Sequence, residues 1–267
     1  MPRYFLELSY RGTNYSGWQI QQNAVSVQEK VNAAISLITQ KQTETTGCGR
    51  TDTGVHSTQF FAHFDVDNQI IDAFSFVYQV NGILPFDISI KALHPVDDAA
   101  HARFDAVKRT YRYYVHTYKN GFLADFSGCY FKKVNINLLN EACLLLKAHT
   151  DFAAFCKANA QNKTNVCHIH EAGWAENEGV YCFEISADRF LRGMVRALVG
   201  TMIDVASEKT TLNQFEEIIL SKDRRNAGAA APACGLYLTK VDYPYLKVSN
   251  NFEFPVGGLA KKQGLLL

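Results

Sequence analysis

An α+β fold assembled from two similar units is what this chain predicts, and three observations predict it. Stretches with the two-residue alternation of strands recur along its length. Between them lie stretches whose apolar residues return at helical spacing. The aromatic strand pattern near the amino terminus reappears from Thr110, so the rhythm restarts with a boundary near Ala106.

The segment Tyr4 to Tyr10 alternates and is rich in aromatics, as a strand should be, and Gly12 and Asn14 then supply turn chemistry. Ser26 with Glu29 makes a capping-box pattern, and Val27, Val31, Ala34, Ile35 and Ile38 follow at helical spacing. After a loop rich in Gly and Thr, Phe60, Ala62, Phe64 and Val66 alternate as a second strand. Asp72 caps a helix through Phe74, Val77 and Tyr78 that Gly82 and Pro85 end. Ile88 to Leu93 alternates again. The second round opens with Tyr111, Tyr113 and Val115, turns at Asn120-Gly121, and continues into a helix bearing Leu138, Ala142, Leu145 and Leu146. A strand from Val180 to Ser186 precedes a long apolar helix from about Phe190 to Val205, a helix from Leu212 to Leu220, and a strand from Leu236 to Val241. The tail after Pro244, with a glycine pair and a lysine pair, reads as a partly ordered end.

At 267 residues, with 47% hydrophobic and 20% charged side chains, the chain can bury a sizeable core and resembles ordinary globular proteins. No apolar run approaches the roughly 20 residues that cross a bilayer, and Met1-Pro2-Arg3-Tyr4 carries no signal-peptide pattern, which predicts the cytoplasm. Seven widely spaced cysteines fit reduced thiols better than a disulfide framework. Cys156, Cys167, His168, His170 and Cys182 invite a zinc reading, but no Cys-x-x-Cys pair is present, so no metal is expected. The net charge of +1 does not announce a nucleic-acid binder. Positive charge is bunched locally, however, at Lys108 to Arg112, at Arg189, Arg192 and Arg196, and at Lys222 with Arg224 and Arg225. Each bunch suits phosphate as well as it suits plain solvent.

The most informative stretch is Gly49-Arg50-Thr51-Asp52-Thr53-Gly54-Val55-His56. Its glycines permit tight turns, and the two Thr hydroxyls can orient Asp52 between them. The bland account is an Asx-turn in which the carboxylate bonds its own backbone. A sharper rival is an aspartic protease, whose paired carboxylates sit in the tripeptide Asp-Thr-Gly. This chain has one copy, so a dimer would have to bring the second, and Arg50 opposes the shared-proton state such a pair needs.

The whole loop resembles the signature of the tRNA pseudouridine synthase A family, and the likeness runs nearly end to end. It includes Gly17-Trp18-Gln19, Ser26-Val27-Gln28, and His101-Ala102-Arg103-Phe104-Asp105-Ala106 leading into Arg109-Thr110-Tyr111-Arg112-Tyr113. Asp151-Phe152, Phe155, Met194-Val195-Arg196, Val199-Gly200-Thr201 and Ala231 to Leu238 follow in order. Arg192-Gly193 stand where a His is usual, Ala197 where Asn is common, and Cys234 before Gly235 is also less usual.

The resemblance implies two similar α/β subdomains of ferredoxin or RRM-like type, 1–106 and 107–267. They would share one extended, mostly antiparallel mixed sheet with a central cleft. It implies a homodimer acting on the anticodon stem-loop of tRNA, with base flipping and no cofactor. Consistent with the last point, the chain carries no phosphate loop, dinucleotide fingerprint or His-Glu-x-x-His site. Asp52 would be the nucleophile, attacking ribose or base, and Arg196 the cation paired with it. Arg196 falls among Phe190, Met194, Leu198 and Met202, where a buried charge calls for a partner. Tyr111 would stack on the uracil, with its hydroxyl available for proton transfer. Leu236 would pack near the base or simply in the core, and Arg50 would contact the RNA or stiffen the loop. Two readings from other classes stay open: an RNA-binding module without catalysis, and the dimeric protease.

Overall fold

The structure, a computed structural model, describes residues 1–131, 134–158 and 162–248; the glycine pair and lysine pair of the tail lie outside the described residues. β1 (Arg3–Tyr10) is buried along most of its length, as its aromatic and aliphatic side chains require. α1 (Val27–Thr39) starts at the anticipated capping box: Ser26 Oγ accepts from the Glu29 N–H at 3.2 Å, and the Glu29 carboxylate accepts from the Ser26 N–H at 3.5 Å. The short β2 (Thr46–Gly47) then leads through the Asp52 loop into β3 (His56–Asp65). α2 (Ala73–Ile83) is capped by the Asp72 carboxylate on the Ser75 N–H at 3.0 Å, and β4 (Ile88–Val96) closes the first half.

The second half holds β5 (Lys108–His116), the short β6 (Gly128–Cys129) and α3 (Ile136–Ala148), capped by Asn135. β7 (Ile169–Asn177), β8 (Val180–Ala187), α4 (Met194–Ala206), α5 (Leu212–Ser221) and β9 (Leu236–Asp242) follow. No helix among the described residues is long and apolar enough to cross a membrane, and none of the seven cysteines is in a disulfide.

Together the strands form one open, mixed sheet in the order β4-β1-β3-β9-β5-β8-β7, with β2 on β3 and β6 on β5. Its pairs are antiparallel except β3 with β9 and β5 with β6. The β3–β9 pair joins the two halves of the chain through a short register, His56 opposite Tyr237 and Ser57 opposite Leu238. Beyond it, Gln59 substitutes for the missing ladder: its Oε1 accepts from the Val241 N–H at 3.3 Å and its Nε2 donates to Glu7 at 2.9 Å.

Two large apolar cores result. One gathers β1, α1, β3, α2 and β4 with Leu238 and Val241 of β9; the other gathers β5, α3, β8, α4 and α5 with Leu236. Tyr111 packs against both. Since β9 feeds side chains to either core, the loop that enters β3 arrives at the seam between them.

Apart from the two-residue strands β2 and β6, which the sequence does not announce, three elements differ from the sequence expectation. β7 was not foreseen because it is an edge strand in which Trp174 alone is buried, which leaves no alternation to read. A two-residue turn joins it to β8, with positive φ at Glu178 (50°) and Gly179 (77°). β3 begins at His56 rather than near Phe60, directly after the loop. The helix expected from Phe190 starts at Met194, because Gly193 adopts a left-handed φ of 73° at the N-cap and sets Phe190 to Arg192 outside it.

Candidate active site

The Asp52 loop is braced from below by residues of the first strand and turn. Thr51 Oγ1 accepts from the Trp18 N–H at 3.0 Å and lies 3.0 Å from the Tyr10 hydroxyl, so this threonine anchors the loop instead of orienting Asp52. Gly17, at φ 88°, lets the chain pass beneath: a Cβ there would lie 2.1 Å from the Thr51 carbonyl oxygen. Past the aspartate, the Val55 N–H donates to the Asp52 carbonyl at 3.2 Å, and Gly54 at φ 79° supplies the positive φ that a type II turn requires at its third residue. The turn therefore uses the main chain of Asp52 and leaves its carboxylate for other partners.

Those partners are cations from the other half of the chain, in and just before α4. Arg196 Nη1 lies 3.4 Å from Asp52 Oδ2, and Arg192 Nε lies 3.8 Å from Oδ1. Asp52 and Arg196 are each 22% exposed and Arg192 is 57% exposed, so the first pair is the better shielded from water. Arg196 is fixed a second time, its Nε donating to the Ala231 carbonyl at 2.7 Å while the Ala231 N–H donates to the Arg196 carbonyl at 2.9 Å. An arginine in the first turn of a helix opposes the macrodipole, whereas a carboxylate held there is favoured. A local rule broken in this way is characteristic of functional sites.

Tyr111 stands at the same seam, edge-on to Phe190 with ring centroids 5.1 Å apart. Burial, then the neighbouring Cys48, raise its phenol pKa; the positive charge of Arg109 lowers it, and the negative charge of Asp52 adds to the rise. The hydroxyl therefore stays protonated at neutral pH and can donate a hydrogen bond, while the ring offers a stacking surface. Leu236, 6% exposed, sits in the core with Val55 and Tyr113. Arg50 is exposed at the rim of a cavity of about 100 Å³ that Arg103, Gln19 and Gly49 also line. The structure thus brings Asp52 and Arg196 together, with Tyr111 feeling the charge of Asp52, and leaves Arg50 at the margin.

Sequence reasoning gave Arg192 only a phosphate role and missed its approach to Asp52. The signal was its four-residue spacing from Arg196, which the expected helix would have set on the same face as Arg196.

A larger cavity of about 440 Å³ is lined by Tyr10, Arg11, His56, Lys91, Phe126 and Tyr237, among others, and not by Asp52. His56 and Lys91, two of its polar groups, are already engaged. His56 Nδ1 accepts from the Gly12 N–H at 3.0 Å and its other ring nitrogen is 3.1 Å from the Asp125 carbonyl, an arrangement that fits the neutral ring protonated on Nε2. Burial pushes His56 down to about 4, consistent with that neutral state. Lys91 donates to the Thr58 carbonyl. No group of three or more His, Cys, Asp or Glu among the described residues could hold a metal ion.

The geometry can be set beside known proteins. A family model described as tRNA pseudouridine synthase matches residues 142–244. The chain is 43% identical over 244 residues to the tRNA pseudouridine synthase A of Azobacteroides pseudotrichonymphae, covering 91% of this chain and 98% of that protein. It is 44% identical over 247 residues to that of Bacteroides thetaiotaomicron, covering 91% of each. With the Colwellia psychrerythraea protein of the same name it shares 36% over 256 residues, covering 95% and 96%.

Proposed function

We propose how this chain, which belongs to the tRNA pseudouridine synthase A family, carries out its reaction. It is an isomerase that converts uridine to pseudouridine in tRNA. The bond from the ribose anomeric carbon to uracil N1 breaks, the base turns, and the same carbon bonds to C5. The proton lost from C5 is balanced by one gained at N1, so nothing is oxidised or transferred away.

Asp52 is the nucleophile. The observation that carries this reading is its carboxylate, largely buried at the seam of the sheet and held between Arg196 and Arg192. Such a carboxylate is held in place for attack on a nucleotide turned out of its stack. Arg196 keeps the charge in place and Tyr111 stacks on the base, its protonated phenol serving as a donor. Leu236 packs near the base, and Arg50 contacts the RNA and helps hold the target nucleotide out of its stack. The substrate is the anticodon stem-loop, read by shape more than by base sequence.

The enzyme works in the cytoplasm as a homodimer, each subunit comprising subdomains 1–106 and 107–267, as the family resemblance suggests. Incubating the protein with undermodified tRNA and mapping pseudouridine along the strand tests this reading. Product confined to the anticodon stem-loop is the expected result; product elsewhere, or none, would overturn it.

A further inference from the structure

Arg109, at the second position of β5, makes no salt bridge among the described residues; its guanidinium gathers main-chain carbonyls from four places. Nη1 donates to Ala106 at 3.2 Å and Asp188 at 3.0 Å, and Nη2 to Cys48 at 3.1 Å and Arg103 at 2.8 Å. One side chain thereby ties the start of the Asp52 loop to the turn bearing Arg103 and to the end of β8. Three of the four anchor points lie at or near another arginine: Arg50 is two residues after Cys48, Arg103 is itself an anchor, and Arg189 follows Asp188.

Arg50, Arg103 and Arg189 have no side-chain hydrogen bond or ion pair among the described residues. Arg50 and Arg103 line the cavity of about 100 Å³ beside Gln19 and Gly49. The Arg103 guanidinium lies 5.8 Å from the ring centroid of the exposed Phe104. Partial burial, then the positive charges of Arg50, Arg109 and Arg189, hold Arg103 below its ordinary value. Cations brought together without a counter-ion repel one another, and an anion entering among them relieves that repulsion. Guanidiniums match phosphate in particular, through paired N–H donors in one plane.

We propose that Arg50, Arg103 and Arg189 form a subsite for backbone phosphate of the RNA next to the target nucleotide, and that Arg109 is the residue that positions them. This rests on the reading of Asp52 as the centre of a tRNA-modifying site. Arg50, two residues from Asp52, sets the distance from phosphate to reacting base, while Arg103 and Arg189 extend the grip along the strand. Because phosphate is common to every nucleotide, the subsite supplies affinity and register and carries no base preference.

The test measures binding of an unmodified tRNA transcript over a potassium chloride series, with steady-state pseudouridine formation on the same proteins. Arg103→Gln and Arg189→Gln are each expected to weaken binding about three- to tenfold and to make the slope of log K against log salt shallower by about 0.7 to 0.9. Their loss of activity should fall mainly in KM. Lys41→Gln, whose ammonium pairs with Asp67 at the surface, should keep the wild-type slope. Arg109→Lys retains the charge but loses the fork that reaches four carbonyls, so it should lower kcat as well as raise KM. Wild-type affinity and slope in both Arg103→Gln and Arg189→Gln, in proteins that still make pseudouridine, would overturn the subsite. So would weaker binding with an unchanged slope, which would trace the effect to packing. Failure of the wild type to form pseudouridine would instead strike the reading on which the subsite rests.

Discussion

Arg196 holds Asp52 with one end of its guanidinium and the Ala231 carbonyl with the other, Nη1 at 3.4 Å and Nε at 2.7 Å. The charge is therefore fixed in position before any substrate arrives, and a preorganised charge stabilises a developing transition state without reorganisation. Arg196→Met should lower kcat on the order of 100-fold, since it removes a preorganised charge beside the nucleophile. Arg196→Lys should fall between the two, because an ammonium cannot serve both partners at once. Steady-state rates of the two variants at saturating tRNA check this; equal rates for methionine and arginine would contradict it.

Arg192 should matter less, and in a different way. At 3.8 Å and 57% exposed, it acts on Asp52 through water and salt. Arg192→Gln is expected to reduce activity by a few-fold in dilute buffer and by less as salt is added. A rate ratio independent of ionic strength would contradict this, and a salt titration of kcat/KM measures it.

How much of this site was legible in the sequence depends on the distance over which each signal acts. The capping box of Ser26 and Glu29 is local, and the structure reproduces it bond for bond. The helix start at Met194 depends on the left-handed backbone of Gly193, which no periodicity reveals. Asp52 stood out from the composition of its own loop. Its pairing with Arg196 joins residues 144 positions apart, and without the family likeness only the expense of a buried charge hinted at it. The convergence of Arg50, Arg103 and Arg189 on Arg109 was invisible, because main-chain carbonyls accept hydrogen bonds whatever the residue.

Gly17→Ala should disturb the catalytic loop from a distance. The added Cβ would lie 2.1 Å from the Thr51 carbonyl oxygen, at a φ of 88° that alanine rarely adopts. A destabilisation of about 1–3 kcal/mol is expected from the backbone strain alone. Activity should fall further than folding does, because Thr51 precedes Asp52. A melting curve together with kcat resolves the two effects, and a wild-type kcat would show that the loop accommodates the methyl group.

His56 gives the fold a pH dependence of known sign. Burial lowers its folded value to about 4, whereas the unfolded imidazole titrates near the ordinary value of about 6.5. Between those limits the unfolded chain binds the proton and the folded chain does not. Stability should therefore fall as pH drops from about 6.5 to about 4 and level off below. His63, also held near 4 mainly by burial, adds with the same sign. Thermal melts across this window should show a shallower decline for His56→Gln than for the wild type; parallel curves would contradict the assignment.

Reaction of Asp52→Ala with undermodified tRNA addresses the nucleophile itself. With the carboxylate gone, the variant should bind the transcript within a few-fold of the wild type and leave every uridine unconverted. Pseudouridine appearing at a measurable rate in that variant would contradict the assignment of Asp52.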